Sequence, residues 1–124
     1  MSEVLVVDDA ENCREPLVRL LRLMGYEVSS AASGLEALAC VRQHRPDAIL
    51  LDLMMPEMDG VSFLRVLRAS EAWRDVPVIV VSAISDGAML HEASDLGITR
   101  MLLKSRFTGD DLLDCLREVC GSAA

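Results

Sequence analysis

The chain has 124 residues, of which 52% are hydrophobic, and a formal net charge of −8. This length suits one compact domain, which buries roughly two-thirds of the surface that its unfolded chain exposes. No apolar run approaches the ~20 residues of a membrane span, no signal-peptide pattern is present, and the negative charge opposes binding to nucleic-acid phosphates. We therefore expect a cytoplasmic protein without membrane or direct nucleic-acid contacts.

Four short runs of consecutive apolar residues predict strands that are covered on both faces, as in a parallel sheet beneath helices. These runs are residues 4–7, 48–51, 78–81 and 101–103. A fifth segment, residues 27–31, partly alternates between apolar and polar side chains. This alternation predicts an edge strand with one wetter face.

Amphipathic stretches with apolar residues three and four apart lie between these strands and predict helices. The apolar positions are Leu17, Leu20, Leu21 and Met24; Leu35, Leu38 and Val41; Phe63, Leu64 and Leu67; Leu90, Ala93 and Leu96; and Leu112, Leu113, Leu116 and Val119. Gly25 and Gly97 are placed to end two of the helices, and Ser33 with Glu36 predicts a capping box at the start of another. Strands that alternate with helices imply an α/β fold, a doubly wound parallel sheet with helices on both faces. We expect one domain over residues 1–120, followed by a short tail at 121–124.

The four cysteines show no spacing typical of a metal site. They are Cys13, Cys40, Cys115 and Cys120. Because they fall mostly within helical patterns, we interpret them as reduced, buried small hydrophobic residues.

Chemically active side chains follow four of the predicted strands. Asp8 and Asp9 follow the first strand, Asp52 the third, Ser82 the fourth and Lys104 the fifth. Lys104 is the only lysine among twelve basic residues. Because ligands bind at the carboxyl ends of the strands in a doubly wound sheet, we expect these side chains to share one edge.

An aspartate at the end of a strand is also typical of a turn or a helix cap, so any one of the three is ambiguous. The three aspartates together indicate a site that holds cations, because neighbouring carboxylates repel one another unless cations balance them. Oxygen ligands with open positions for water suit Mg²⁺, and Lys104 would supply a further positive charge. Without histidine or cysteine in the pattern, a zinc site is not expected.

Four motifs carry a resemblance to a known family: Val6-Val7-Asp8-Asp9, Leu51-Asp52-Leu53-Met54-Met55-Pro56-Glu57-Met58-Asp59-Gly60, Val81-Ser82-Ala83 and Leu103-Lys104. In order and spacing they closely resemble the receiver domains of two-component response regulators. The resemblance covers essentially the whole chain. It implies a flavodoxin-like fold with a five-stranded parallel sheet of order 2-1-3-4-5.

The resemblance also implies a role for each matching residue. Asp52 would be the phosphoacceptor, a carboxylate nucleophile that attacks phosphohistidine on a sensor histidine kinase or phosphotransfer protein. Asp9 would bind Mg²⁺ directly, Asp8 largely through water, and the backbone carbonyl of Met54 would complete the protein ligands beside Asp52. The chain would thus be a signalling domain and not an enzyme acting on external substrates.

Two further residues would handle the phosphoryl group. Lys104 would pair with one phosphoryl oxygen and Ser82 would donate a hydrogen bond to another. Movement of Ser82 and Lys104 towards the phosphoryl group would change the surface of the fourth helix, fifth strand and fifth helix, which would control a downstream protein that the sequence does not identify.

The sequence departs from the family pattern at two positions near Lys104. Met101 stands where most receivers carry an aromatic switch residue, and it would have to repack in place of that ring. Ser105 stands where the family has a proline that follows a cis peptide bond. A cis bond before serine costs roughly 3 kcal/mol, so we predict a trans Lys104–Ser105 bond.

Two other functions compete with the phosphorylated switch. The first is a receiver-fold docking module that binds partners without phosphorylation, for which Met101 and Ser105 would be signs of lost switching. The second is a small phosphatase of another doubly wound family. Such phosphatases typically need a second aspartate two residues after the nucleophile, where this chain has Met54.

Overall fold

The computed structural model describes residues 2–83 and 87–120, in which strands and helices alternate. The strands are β1 (Glu3–Val7), β2 (Glu27–Ala31), β3 (Ala48–Leu51), β4 (Val78–Ser82) and β5 (Arg100–Leu103). The helices are α1 (Glu11–Leu23), α2 (Gly34–Gln43), α3 (Gly60–Ala69), α4 (Gly87–Leu96) and α5 (Gly109–Cys120). Each of these helices is too short or too polar to span a bilayer. The predicted tail at 121–124 lies outside the described residues.

The strands form one parallel sheet in the order β2-β1-β3-β4-β5, which confirms the predicted fold class and strand order. Successive side chains of a strand point to opposite faces, so the central strands contribute to two separate cores. Leu5 and Val7 of β1 pack with α2 and α3, whereas Val4 and Val6 pack with α1 and α5. Burying one such aliphatic side chain contributes about 1.5–3 kcal/mol to folding.

The last strand differs from its prediction. The continuous apolar run predicted a strand covered on both faces, but 43% of Met101 is exposed, and Leu102 and Leu103 are only partly buried. The physical reason is position, because among the described strands β5 is the last of the sheet and pairs with β4 alone. An apolar run therefore identifies a strand without distinguishing the centre of a sheet from its edge.

The predicted ends of the helices agree with the structure. Gly25 and Gly97 adopt the left-handed conformation, with φ of 97° and 105°, just after α1 and α4. At the start of α2, the Ser33 hydroxyl oxygen accepts a hydrogen bond from the Glu36 N–H (3.2 Å). The Glu36 carboxylate accepts one from the N–H of Ala32 (3.1 Å), so the capping box closes one residue earlier than the usual pattern.

The Ser33 cap makes a testable contribution to stability. We expect Ser33→Ala to lower the free energy of unfolding by about 1 kcal/mol, because an amide donor at the start of α2 loses its acceptor. Urea denaturation measures this change. Ser94→Ala is the matched control, since Ser94 is exposed within α4 and alanine is the better helix former there. Equal urea midpoints for Ser33→Ala and wild type would contradict the prediction.

The cysteines are less buried than the sequence suggested. All four are free, and of these Cys115 is buried whereas Cys13, Cys40 and Cys120 are partly exposed. The helical pattern placed them on the correct elements, but Cys40 and Cys120 pack only at the margins of the two cores. Burial raises the pKa of the Cys120 thiol to about 11, which keeps this thiol protonated.

Candidate functional site

Two aspartates lie side by side at the carboxyl ends of β1 and β3. Because Val7 pairs with Leu51 in the sheet register, the residues after them, Asp8 and Asp52, are brought next to each other. The Asp52 N–H donates to the Val7 carbonyl (2.9 Å), and the Asp8 N–H donates to the Ala31 carbonyl (3.1 Å). Both residues are almost fully buried, at 2% exposure for Asp8 and 3% for Asp52. Continued strand pairing thus fixes the backbone of both.

Asp9 completes a group of three carboxylates, which we call the acidic cluster (Asp8, Asp9 and Asp52). One carboxylate oxygen from each residue lies within 4.8 Å of the other two. Asp9 is exposed, so the cluster opens to solvent on one side. The structure therefore brings together the three carboxylates that the sequence placed at one edge of the sheet.

Lys104 reaches the acidic cluster from the end of β5. Its ammonium nitrogen lies 3.1 Å from Oδ2 of Asp8 and 3.4 Å from Oδ1 of Asp52. Its backbone N–H donates to the Ser82 carbonyl (2.9 Å), which extends the pairing of β4 with β5 by one residue. Burial disfavours the charged ammonium, but the hydrogen bond to Asp8 and the attraction of Asp52 outweigh it, and the pKa of Lys104 is raised.

The pKa of the Asp52 carboxyl group differs clearly from its ordinary value. Burial, followed by repulsion from Asp8, raises its pKa to about 6, although Lys104 and the Met54 N–H oppose the shift. The Met54 N–H donates to Asp52 Oδ1 at 3.4 Å. In the absence of a metal, the site therefore holds more negative charge than its single ammonium balances.

Three other predicted site residues lie near this edge of the sheet, but the roles predicted for them stay predictions. Ser82 ends β4, is fully buried, and its hydroxyl donates to the Ala83 carbonyl (3.0 Å). The Met54 side chain is 58% exposed. The Met101 side chain is 43% exposed and belongs to neither hydrophobic core.

The loop after Lys104 confirms the predicted peptide geometry. None of the described peptide bonds is cis, so the bond between Lys104 and Ser105 is trans. The chain then turns, and the N–H groups of Arg106 and Phe107 both donate to the Leu103 carbonyl (3.0 and 3.2 Å). This turn brings the partly buried Phe107 ring to a cavity that also borders on Lys104.

Sequence reasoning assigned no individual role to two residues that shape the site. The Arg14 guanidinium donates to the Asp8 carbonyl (2.8 Å) and so supports the backbone beneath the acidic cluster. Gly60 begins α3 against the end of β3, where a Cβ atom would lie 2.4 Å from the Asp52 carbonyl oxygen. Gly60 stands directly after a potential helix cap, Asp59, which was the available signal, whereas no pattern in the sequence marked Arg14.

Comparison with known proteins shows to which family the chain belongs. The sequence pattern described as "Response regulator receiver domain" matches residues 4–117. The chain belongs to this family. This confirms the resemblance on which the sequence interpretation rested, and it makes the protein a member of a class of two-component signalling domains.

Three similar proteins illustrate the range of the receiver family. The chain is 52% identical over 82 residues to the transcriptional regulatory protein PrrA of Mycobacterium tuberculosis, which covers 66% of this chain but 34% of PrrA. It is 32% identical to sporulation initiation phosphotransferase F of Bacillus subtilis, covering 94% and 92% of the two chains. The receiver domain of a sensor histidine kinase from Pseudomonas aeruginosa PAO1 superposes with a TM-score of 0.88, at 32% identity and 98% coverage of each chain.

The similar proteins differ in how much of their length the receiver occupies. The chain spans about a third of the length of PrrA and nearly all of the phosphotransferase. The Pseudomonas structure is described with a magnesium ion coordinated in its active-site cleft. The oxygen-only acidic cluster of the present receiver has the donor chemistry that such an ion prefers.

Proposed function

We propose that this receiver is a phosphorylation-activated switch of a two-component phosphorelay. It takes a phosphoryl group from phosphohistidine of a histidine kinase or phosphotransfer protein onto Asp52, with Mg²⁺ beside it. The observation that supports this best is the acidic cluster, whose carboxylates lie within 4.8 Å of one another, with the Lys104 ammonium 3.1 and 3.4 Å from two of them.

Asp52 is the nucleophile of the proposed reaction. One of its carboxylate oxygens forms the new bond to phosphorus while the bond from phosphorus to the donor imidazole breaks. A pKa of about 6 leaves Asp52 mostly ionised at neutral pH and makes it a stronger base than an ordinary aspartate. Burial and the fixed backbone hold this carboxylate in one orientation, which favours in-line attack.

The acidic cluster would hold the metal, with Asp8, Asp9 and Asp52 as its side-chain ligands and the Met54 carbonyl as the proposed backbone ligand. When bound, Mg²⁺ supplies positive charge to the phosphoryl oxygens. Carboxylates that repel one another in the free protein are suited to a divalent cation, because binding removes the repulsion.

Lys104 and Ser82 would then move towards the new phosphoryl group and so change the protein surface. The Lys104 ammonium already contacts Asp52, so a phosphoryl oxygen there becomes its stronger partner. The Ser82 hydroxyl would exchange the Ala83 carbonyl for a phosphoryl oxygen. Both residues lie at strand ends that lead towards α4 and α5, so these movements would alter the surface of α4, β5 and α5.

Phosphorylation of the purified protein tests the proposal. With acetyl phosphate and Mg²⁺, we expect intact mass spectrometry to show the addition of one phosphoryl group to wild type. Asp52→Asn is expected to show no addition, because the amide is not a competent nucleophile. Asp114→Asn, at an exposed position of α5, is the matched control and is expected to behave as wild type.

A chelator should abolish the modification of wild type. Equal phosphorylation of the wild type and Asp52→Asn would contradict the assignment of Asp52.

A docking module that works without phosphorylation is the second candidate. Met101 favours it, because a methionine stands where most receivers carry the aromatic residue that acts as a switch. Beryllofluoride with Mg²⁺ mimics the phosphoryl group and separates the two functions. Amide chemical-shift changes around Asp52 and α4 support the switch, and their absence supports the docking module.

A further inference from the structure

Helix α4 is held to the described part of the protein mainly by its packing against α3. Among its ten residues, all in the described part of the chain, only Ala93 is fully buried. Met89, Leu90 and Leu96 are partly buried against the core beneath α3. One exposed ion pair, between Arg65 and Glu92 (3.1 Å), links the middle of α4 to α3. An additional contact that fixes one end of α4 therefore has a large influence on how this helix can move.

Arg68 provides such a contact at the carboxyl end of α4. Its Nε and Nη2 donate to the Gly97 carbonyl at 3.1 and 2.9 Å, in the residue that follows the helix. Its Nη1 donates to the carbonyls of Arg74 and Val76 at 2.9 and 2.8 Å, in the loop that leads to β4. A single guanidinium on α3 thus joins the end of α4 to the start of β4.

The chemistry of these contacts favours arginine specifically. A cation beside the carboxyl end of a helix interacts favourably with the helix dipole and its free carbonyl groups. The planar fork of the guanidinium can direct one pair of donors to Gly97 and another donor to the loop, which the point charge of a lysine cannot do. The positive φ of Gly97 (105°) is the local geometry in which its carbonyl meets this fork.

The two ends of α4 are therefore unequal. Its first residue, Gly87, lies five positions after Ser82, and a Cβ atom there would meet nothing within 4 Å. Its last turn is followed by Gly97, which carries two of the four Arg68 hydrogen bonds. A displacement of Ser82 would thus reach the amino end of the helix, at the open position of Gly87, first.

We propose that Arg68 is a positioning residue that fixes the carboxyl end of α4, so that the helix turns about Gly97 when its amino end moves. Its use in signalling rests on the proposed phosphorylation switch. Arg68 contacts none of the acidic cluster in the described contacts and acts through the placement of α4. Without Arg68, the displacement at the amino end would spread along α4 to Gly97 and the beginning of β5.

Amide hydrogen exchange and chemical-shift mapping test this role in the full chain. In Arg68→Met, we expect exchange of the Gly97 amide and the last turn of α4 to increase at least about tenfold, as the loss of charge-assisted hydrogen bonds implies. Amides of β3 serve as the reference for global unfolding. Arg65→Gln, which removes only the exposed ion pair to Glu92, is the matched control and should change these amides by less than about threefold.

The response to beryllofluoride with Mg²⁺ gives a readout that a merely structural role would not change. In wild type, we expect shift changes to be large at Met89 and to decrease towards Gly97. In Arg68→Met they should extend through Gly97 to Thr99. Arg68→Lys, which keeps the charge without the fork, should also show this extended pattern and provides the test if the methionine variant does not fold.

The proposal is overturned if both Arg68 variants keep the wild-type shift pattern and exchange rises equally in α4 and β3. A wild type that does not respond to beryllofluoride contradicts the proposed function instead. The exchange comparison still decides, in that case, whether Arg68 holds the end of α4.

Discussion

Replacing Gly60 with alanine is expected to lower the free energy of unfolding by about 3 kcal/mol, the upper range for forcing extra volume into a packed interior. The new Cβ atom would lie 2.4 Å from the Asp52 carbonyl oxygen and 2.7 Å from the Leu53 Cα atom. Both are backbone atoms of the segment that holds the acidic cluster, so they cannot rotate away as a flexible side chain would. The start of α3 must move away from the strand, and Asp52 moves with it.

Urea denaturation at neutral pH measures the loss, and isothermal titration with Mg²⁺ measures the accompanying fall in affinity. Gly109→Ala is the matched control, because Gly109 also begins a helix and its Cβ would meet Leu20 Cδ2 at an ordinary 3.6 Å. This control should keep or slightly raise stability, since alanine restricts the unfolded chain. A Gly60→Ala variant as stable as Gly109→Ala would show that the close approach at Asp52 is absent.

In the absence of Mg²⁺, Asp52→Asn is expected to be more stable than wild type at neutral pH by about 2 kcal/mol. Burial and the neighbouring Asp8 raise the Asp52 pKa from 3.8 to about 6, so the folded protein binds this proton more tightly than the unfolded chain does. Because the pKa is raised, the proton on Asp52 stabilises the folded wild type fully below about pH 4, and this stabilisation is lost as the pH rises through about 6. At pH 7, wild type therefore carries a penalty of up to about 3 kcal/mol, which asparagine avoids.

Thermal and urea unfolding at several pH values measure this difference. We expect the advantage of Asp52→Asn to shrink towards zero at about pH 4, where the wild-type carboxyl group is protonated in the folded state and partly protonated in the unfolded chain. Saturating Mg²⁺ should also reduce the difference in stability between Asp52→Asn and wild type, because a ligand that binds only the folded wild-type protein stabilises that protein. Asp114→Asn should match wild type at each pH. A lower stability of Asp52→Asn at pH 7 without metal would contradict the raised pKa of Asp52.

The sequence predicted the elements of this fold closely because their signals are local. Each run of apolar residues became a strand, and the ends of α1 and α4 were placed correctly by Gly25 and Gly97, whose left-handed backbone geometry depends on few neighbours. The exposure of Met101 could not be predicted in this way. It depends on which strands lie beside β5, and the pattern of one segment carries no information about that arrangement.

In the candidate site, too, some features could be predicted from the sequence and others could not. The acidic cluster was predictable because the carboxyl ends of parallel strands meet at one edge, so chain position alone placed Asp8 and Asp52 together. The contacts of Arg14 and Arg68 were not predictable, because each side chain donates to backbone carbonyl groups. Every residue has such a group, so no pattern of side chains marks these partners in advance.

The two outer strands of the sheet have a consequence for the behaviour of the protein at high concentration. Within residues 2–83 and 87–120, each has a neighbouring strand on one side and leaves the backbone groups of its other side without one. Such unpaired edges are the feature through which β-sheet proteins form fibrous aggregates. β2 exposes Glu27, Ser29 and Ser30, and β5 is four residues long with Arg100 paired to Glu118 of α5. Short, charged and polar edges disfavour pairing between molecules. The short length and the polar and charged residues of these two outer strands thus protect the folded protein from edge-to-edge association.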